Sequence, residues 1–366
     1  MRIALFSPYA LSVFGGVQEQ ALAMSRELSS RGHEVLLLAP DSSDQRTYDT
    51  PATVVKVGKL LSLPANGSKA PLTLSWSAAK RAEKIVREFR PDVVHFHEPF
   101  APLVGWKTLR AHATPAVATF HRSGGGPAVQ LTRPLLQFLA RGIDESVAVS
   151  ELARRTMGEA SGLAPQILFN GFEIDRFSKF PRIVPDATRI VTVGRLENRK
   201  GVHVLVQAVR SHNQQSPQAW QLDIIGDGPE RSRLEELAKQ DPNIVFHGAL
   251  DDDAKQKLVR GSTVFVAPAL FGESFGMVLL EAMASMVPVI ASNIDGYREA
   301  SGNLAVLFEA GNADDLERSI SEVVSGARSV NLEGALEQAR KWSMSTLIDR
   351  YLAIYDEAIR HFGSTN

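Results

Sequence analysis

Cysteine is absent from the 366 residues, which excludes disulfides, thiolate metal sites and a cysteine nucleophile, and fits a reducing compartment. Long apolar runs are missing too. Nowhere do eighteen apolar residues follow one another, so no membrane span is expected. The opening Met-Arg-Ile-Ala-Leu-Phe-Ser-Pro is too short an apolar stretch for a signal peptide, and cytoplasm is the expected location. No charge sign is in excess: 40 Lys and Arg stand against 41 Asp and Glu, which argues against a globally basic nucleic-acid binder and leaves any polyanion site local. No unit of 20 to 50 residues recurs, and no segment is of low complexity. Asn66-Gly67-Ser68 matches a glycosylation sequon, but without a secretion signal it reads as a turn.

What remains is a chain long enough for two cores, in which apolar runs of strand length alternate with amphipathic helical stretches. That alternation is the mark of an α/β fold with a parallel sheet covered on both faces. Strands are expected at 2–7, 34–39, 92–95, 116–120, 145–149 and 166–169, with a helix after Gly15 and Gly16 whose Val17, Ala21, Met24 and Leu28 share one face and which Gly32 ends. These make a first doubly wound, Rossmann-like domain over 1–172. An irregular stretch with Pro181 and Pro185 places a hinge at 173–188. The rhythm resumes with strands at 189–193, 221–225, 244–247, 264–267 and 289–291, a second Rossmann-like domain over 189–343. The amphipathic helix 344–360, within a tail of 344–366, either packs on its own domain or crosses back to the first. Asp251-Asp252-Asp253 precedes a helix and reads as an N-terminal cap rather than a metal cluster.

Several segments can carry chemistry. Gly15-Gly16-Val17 opens a helix after the first strand, where backbone amides can approach a phosphate; a plain tight turn explains the same glycines. Arg195 and Lys200 follow the strand 189–193, and two cations there suit a diphosphate, or form a solvated basic loop. Gly272-Glu273-Ser274-Phe275-Gly276 leads into a helix carrying Glu281, a spacing of two helical turns that would set both carboxylates on one side, with amides near Phe275 and Gly276 open to a phosphate; helix capping is the plainer role. His95, His97, Glu98 and His121 can be arranged as a zinc site, but a polar cleft edge is the preferred reading, and no metal site is expected. His121 precedes Arg122-Ser123-Gly124-Gly125-Gly126, where an imidazole can position a hydroxyl.

Taken together, Ser7-Pro8-Tyr9 with Gly15-Gly16-Val17-Gln18, the run from Pro91 to Pro99, Ala118-Thr119-Phe120-His121, Asn170-Gly171, Gly194-Arg195 with Arg199-Lys200-Gly201, Gly226-Asp227-Gly228-Pro229 and Glu273 with Glu281 resemble glycosyltransferase family 4, and within it the actinobacterial phosphatidylinositol α-mannosyltransferases. The resemblance implies the GT-B fold, two Rossmann-like domains facing a central cleft. It implies a retaining, metal-independent hexosyltransferase without cofactor, taking mannose from GDP-mannose to phosphatidylinositol or a related acceptor. Gly16, Arg195 and Lys200 would hold the donor diphosphate, with Gly226, Asp227, Ser274, Phe275 and Gly276 also on the donor; Glu273 and His121 would hold the transferred sugar and Glu281 the ribose. Tyr9, Gln18, Asn66, Lys69 and Arg122 would meet the acceptor.

Lys80, Arg81, Lys84 and Arg87 form a basic helical stripe suited to an anionic membrane surface, on the inner face of the plasma membrane, or simply a solvated face interrupted by Glu83 and Glu88. Two departures from the family stand out: Arg122 with three glycines replaces a lysine after His121, and Met286 stands where a glycine usually ends the helix of Glu281, a left-handed position that strains other residues. An epimerase would need no acceptor, a nicotinamide dehydrogenase would leave Arg195, Lys200 and Glu273 unexplained, and a non-catalytic sugar-nucleotide-binding module would bind donor without turnover.

Overall fold

The computed structural model describes the chain apart from residues 13–15, 42–47, 60, 66–67, 73–74, 102–103, 122–126, 184, 240, 274–275 and 366. It divides into two compact units, Met1–Phe172 with Met344–Asn366, and Glu173–Ser343.

In the first unit the strands are Arg2–Phe6 (β1), Glu34–Asp41 (β2), Thr53–Lys59 (β3), Leu61–Ala65 (β4), Ser68–Leu72 (β5), Val93–His97 (β6), Ala116–Phe120 (β7), Glu145–Ala148 (β8) and Gln166–Ile167 (β9). The helices are Gly16–Ser30 (α1), Trp76–Phe89 (α2), Trp106–Ala111 (α3), Pro127–Ala140 (α4) and Glu151–Ser161 (α5). Seven of the strands form one parallel sheet in the order β3-β2-β1-β6-β7-β8-β9, and β4 and β5 form a separate antiparallel pair. The central strands are buried on both faces, which is why they read as unbroken apolar runs such as Ile-Ala-Leu-Phe.

The second unit repeats the plan. Its strands are Arg189–Val193 (β10), Gln221–Ile225 (β11), Ile244–Gly248 (β12), Val264–Ala267 (β13), Val289–Ser292 (β14) and Val306–Phe308 (β15), ordered β12-β11-β10-β13-β14-β15 and all parallel. Its helices are Val202–Gln215 (α6), Arg231–Ala238 (α7), Asp252–Arg260 (α8), Met277–Ala284 (α9), Asp295–Ser301 (α10), Ala313–Val324 (α11) and Leu332–Arg340 (α12). Both sheets therefore reverse direction of winding at one point, between β1 and β6 and between β10 and β13, where open α/β sheets place their ligands at the strand C-termini. The mixed α/β class with two parallel-sheet domains is borne out.

The helix Met344–Thr365 (α13) belongs to the first unit, where Leu347, Ile348, Tyr351, Ile354, Tyr355 and Ala358 join the core of Ile3, Leu5, Val93 and Val147. Apolar residues at spacings of three and four make the stripe that does this, and Arg31 ties the helix start through Asp349 at 2.5 Å and the Ser345 carbonyl at 2.7 Å. The stretch 173–188 packs on the second unit: Phe177 is buried, Arg182 donates to the carbonyls of Arg260 and Ser262 at 2.7 Å, and Arg260 donates to the Phe177 carbonyl at 2.8 Å. Asp251 caps α8, accepting from the Ala254 amide at 2.8 Å.

Met286 sits at φ +58°, with its amide on the Met283 carbonyl at 3.0 Å and the Val287 amide on the Ala282 carbonyl at 3.2 Å. This pair of bonds is the Schellman ending of α9, built around a residue with a Cβ. Met286→Gly is expected to stabilise the second unit by about 1 kcal/mol by relieving the left-handed strain, seen as a higher urea midpoint. Met286→Ala, which keeps the Cβ, should give no such gain; an equal gain in both variants would place the cost in side-chain packing instead.

Candidate active site

At the switch point of the second unit, the loop after β10 meets the loop after β13. The Leu270 amide donates to the Arg199 carbonyl at 2.8 Å, and Gly201, at φ +64°, lies so close that an added Cβ would stand 1.9 Å from the Pro268 carbonyl oxygen. Only glycine permits that approach. It brings Lys200 Nζ to 2.5 Å and Arg199 Nη1 to 2.9 Å from Glu273 Oε1. Arg199 Nε reaches Glu197 Oε2 at 2.8 Å, and Arg195 Nε reaches Glu197 Oε1 at 3.1 Å. The result is a ladder of alternating charge, Arg195, Glu197, Arg199, Glu273 and Lys200, with three cations against two carboxylates. Lys200 and Glu273 are 19% and 11% exposed at their side chains, whereas Arg195 is 67% exposed and can turn to an incoming anion.

Of the residues expected on the donor, Lys200 and Glu273 are thus in contact, and Arg195 joins them through Glu197 and Arg199. Those two mediating residues were not among the expected site residues. Gly226, at φ +131°, sits where a Cβ would come 1.9 Å from the Gly194 carbonyl oxygen, so it lets the turn after β11 lie against the turn that carries Arg195. The Asp227 carboxylate serves its own turn, accepting from the Gly228 amide at 2.7 Å and from Arg231 at 3.3 Å, and it does not reach the ladder. Ser274 and Phe275 lie outside the described residues. Gly276, at φ +75°, is the N-cap of α9, and a Cβ there would come within 2.7 Å of the Tyr297 ring.

The expected two-turn relation between Glu273 and Glu281 needs correction. Helix α9 begins only at Met277, so Glu273 lies on the loop before it and Glu281 on the helix itself. Glu281 instead faces Lys255 Nζ of α8 at 3.7 Å, and Lys255 also holds Asp252 at 3.1 Å. Desolvation pushes the Glu281 carboxyl up from its ordinary range, while Lys255 pulls it back. Lys255 was a second omission of the sequence reading; its partner lies 26 positions away on another helix.

In the first unit, Ser7 follows β1 and its hydroxyl donates to the Tyr9 carbonyl at 2.8 Å. Gly16 opens α1 with open space where a Cβ would be, and Gln18, two residues on, is buried. Tyr9 is half-buried. Asn66 and Arg122 lie outside the described residues, as does the side chain of Lys69, which falls on β5.

His95 and His97, expected at a polar cleft edge, are both buried, and His97 lines a small pocket with Ser7, Pro8 and Glu98. The two histidines are 0% and 1% exposed, stacked at 4.7 Å between ring centroids, because β6 is central in the sheet and α13 covers this face. His95 is fully engaged, Nδ1 with the Tyr355 hydroxyl at 2.7 Å and Nε2 with Thr119 Oγ1 at 2.8 Å, and Thr119 continues to the Tyr351 hydroxyl at 2.8 Å. His97 Nδ1 meets His121 Nε2 at 3.0 Å, which leaves His97 Nε2 and His121 Nδ1 buried without a hydrogen-bond partner among the described residues. The His121 amide is held by the Glu98 carboxylate at 2.5 Å, and Glu98 itself takes a left-handed φ of +49°. Burial pushes the His121 imidazole down to about 4, and pushes His95, with His121 nearby, down to about 3; His97 is held well below the usual range by burial and by both neighbours. All three are neutral at pH 7. Among the described residues no group of three or more His, Cys, Asp and Glu is placed to hold a metal ion.

The arrangement offers an anion site on the second unit and, on the first, a neutral imidazole with one nitrogen uncommitted. The comparisons with known proteins agree with such chemistry. Residues 14–176 match the model of Glycosyltransferase Family 4, and residues 173–342 match that of Glycosyl transferases group 1. A phosphatidyl-myo-inositol mannosyltransferase of Mycobacterium leprae is 33% identical over 97% of this chain and 96% of its own length, and one of Propionibacterium freudenreichii is 29% identical over 100% and 97%. The crystal structure of a glycosyltransferase from Rickettsia africae superposes with a TM-score of 0.75 over 98% of both chains at 19% identity, a likeness of fold. With both halves matched and a relative one-third identical along nearly its whole length, the chain belongs to the family 4, group 1 glycosyltransferases.

Proposed function

We propose that this glycosyltransferase moves mannose from GDP-mannose onto the inositol ring of phosphatidylinositol, with retention of configuration and without an essential metal. The charge ladder around Glu273 carries the donor half of this reading: Arg195 and Lys200 can neutralise a leaving diphosphate, the task a divalent cation performs elsewhere. The full-length likeness to proteins named phosphatidyl-myo-inositol mannosyltransferase supports the donor sugar and the acceptor. In the reaction the bond from the sugar C1 to the diphosphate oxygen breaks, the acceptor oxygen bonds to C1 on the same face, and the acceptor proton passes to the leaving phosphate. Gly16 then contributes an amide to the diphosphate, Glu281 the ribose contact, Glu273 and His121 contacts to the hexose, and Tyr9, Gln18, Asn66, Lys69 and Arg122 contacts to the acceptor. His121, being neutral, acts by hydrogen bonding rather than as a cation.

A peripheral membrane contact on the cytoplasmic face is part of the proposal. Lys80, Arg81, Lys84 and Arg87 are exposed on α2, and Trp76, 56% exposed, stands at its first turn, an aromatic beside a basic face. Lys84 and Arg87 share their charge with Glu88 and Glu83. No helix among the described residues is long and apolar enough to cross a membrane.

The test is transfer of labelled mannose from GDP-mannose to phosphatidylinositol dispersed in lipid, read as label in the organic phase. We expect transfer to survive chelator and to be lost in His121→Ala and Glu273→Ala. Product from a UDP-sugar or another acceptor alone would retire the substrate assignment, and sensitivity to chelator would retire metal independence.

A further inference from the structure

A cavity of about 400 Å³ lies beneath α2 and α3 in the first unit, at the opposite end of the sheet from His97 and His121. Its floor is apolar and buried, formed by Val86, Val94, Phe96, Leu109 and Ala116. The volume falls in the range of small-molecule pockets.

Three observations distinguish it from loose packing. The exposed Arg90 lines it and has no ion pair among the described residues. Thr108 lines it too, and its buried Oγ1 has no hydrogen-bond partner among the described residues, a cost that a polar ligand atom would remove. Finally, Arg90 and His112 both carry left-handed backbone at φ +50° and +40°, each as the C-cap of one of the two helices that form the walls. Two strained caps at one cavity are the kind of local cost that persists where a site is built. The carboxylate of Glu83, also on the wall, is already neutralised by Lys107 and Arg87, and His112 is held by Asp144 at 3.1 Å. The uncommitted charge at the mouth is therefore positive.

We infer that this cavity binds a small anionic amphiphile, a carboxylate on an apolar body, as a second ligand separate from the nucleotide sugar and its acceptor. One carboxylate oxygen accepts from Arg90, the other from the Thr108 hydroxyl, and the hydrocarbon lies on Val86, Val94, Phe96 and Leu109. Phe96 also lines the small pocket formed with Ser7, His97 and Glu98, so its ring separates the two cavities.

The probe is decanoate below its micellar concentration, titrated calorimetrically into the full chain. Saturable one-to-one binding is expected, with decanol and decyltrimethylammonium at least about tenfold weaker because neither offers an anion to Arg90. Arg90→Gln should weaken binding about tenfold. Ala116→Leu, which fills the floor, should abolish it. Thr108→Val carries opposite signs: it should raise the urea midpoint of the empty protein by removing an unsatisfied hydroxyl, while weakening decanoate severalfold. Lys200→Ala and His121→Gln should bind decanoate as the native chain does. Absence of saturable binding, decanol binding as tightly as decanoate, retention in Ala116→Leu, or loss in Lys200→Ala would each overturn the inference, the last by moving the ligand to the nucleotide site.

Discussion

Glu273→Gln is expected to bind GDP severalfold more tightly than the native protein and yet to transfer mannose about a hundredfold to a thousandfold more slowly. The two effects have opposite signs because the carboxylate has two tasks. Glu273 Oε1 occupies both Lys200 Nζ, at 2.5 Å, and Arg199 Nη1, at 2.9 Å. An arriving diphosphate must take Lys200 from it. With Gln the ladder changes from three cations and two carboxylates to three cations and one, so the phosphates meet more positive charge and no competitor. The pair is largely buried, where charge counts for more than at the surface, and a severalfold gain in affinity corresponds to about 1 kcal/mol. Turnover falls for a different reason: positive charge develops at C1 as the bond to the diphosphate breaks, and the proposed contact to the hexose no longer carries a negative charge to meet it. Lys200→Ala is the control, since it should weaken GDP and slow transfer together. Calorimetry with GDP and initial rates at saturating GDP-mannose decide the matter. Parallel weakening of binding and rate in Glu273→Gln would mean that the carboxylate orders the cations rather than competing for them.

The architecture was largely legible because it rests on a short-range signal. A strand buried on both faces is mostly apolar, and β1, β7, β10 and β13 announce themselves in that way. β3, Thr-Val-Val-Lys-Val-Gly-Lys, escapes the pattern because it is an edge strand whose apolar run is broken by lysine and glycine, and β15 because three residues carry no period. The site was legible to the extent that each candidate lies next to a strand end. Pairing between those ends was not. That Arg199 rather than Arg195 touches Glu273 depends on Gly201 letting one loop lie against the Pro268 carbonyl, a contact spanning 67 positions. The sequence spacing of Glu273 and Glu281 suggested two turns of one helix, but Gly276, in left-handed conformation at the N-cap of α9, turns the chain between them. Likewise, the alternation of His95 and His97 does not show their burial; α13, arriving from more than 240 positions away, covers His95 with Tyr351 and Tyr355.

That burial has a consequence in acid. Unfolded, His95, His97 and His121 would each titrate near 6.5; folded, His121 titrates at about 4, His95 at about 3, and His97 well below its ordinary value. Between pH 6.5 and 4 the unfolded chain therefore binds protons that the native first unit refuses, so stability is present above the window and falls as pH falls through it. Three protons correspond to a slope of about 4 kcal/mol per pH unit once the unfolded histidines are charged. Between pH 6.5 and 5 the loss approaches about 5 kcal/mol, comparable with the whole stability of an ordinary domain. His33 and His203 are also held below their usual range, by burial first, and add to the slope in smaller measure. Urea midpoints of the first unit, followed by the fluorescence of Trp76 and Trp106 at half-unit steps from pH 7.5 to 4.5, should therefore drop steeply below pH 6. His97→Leu should reduce the slope by about one proton, while Tyr355→Phe, which leaves the imidazoles buried, should keep it. A native slope of one proton or fewer over this range would show that the trio accepts protons while folded, and would return His121 to the list of groups able to act as a cation at the sugar.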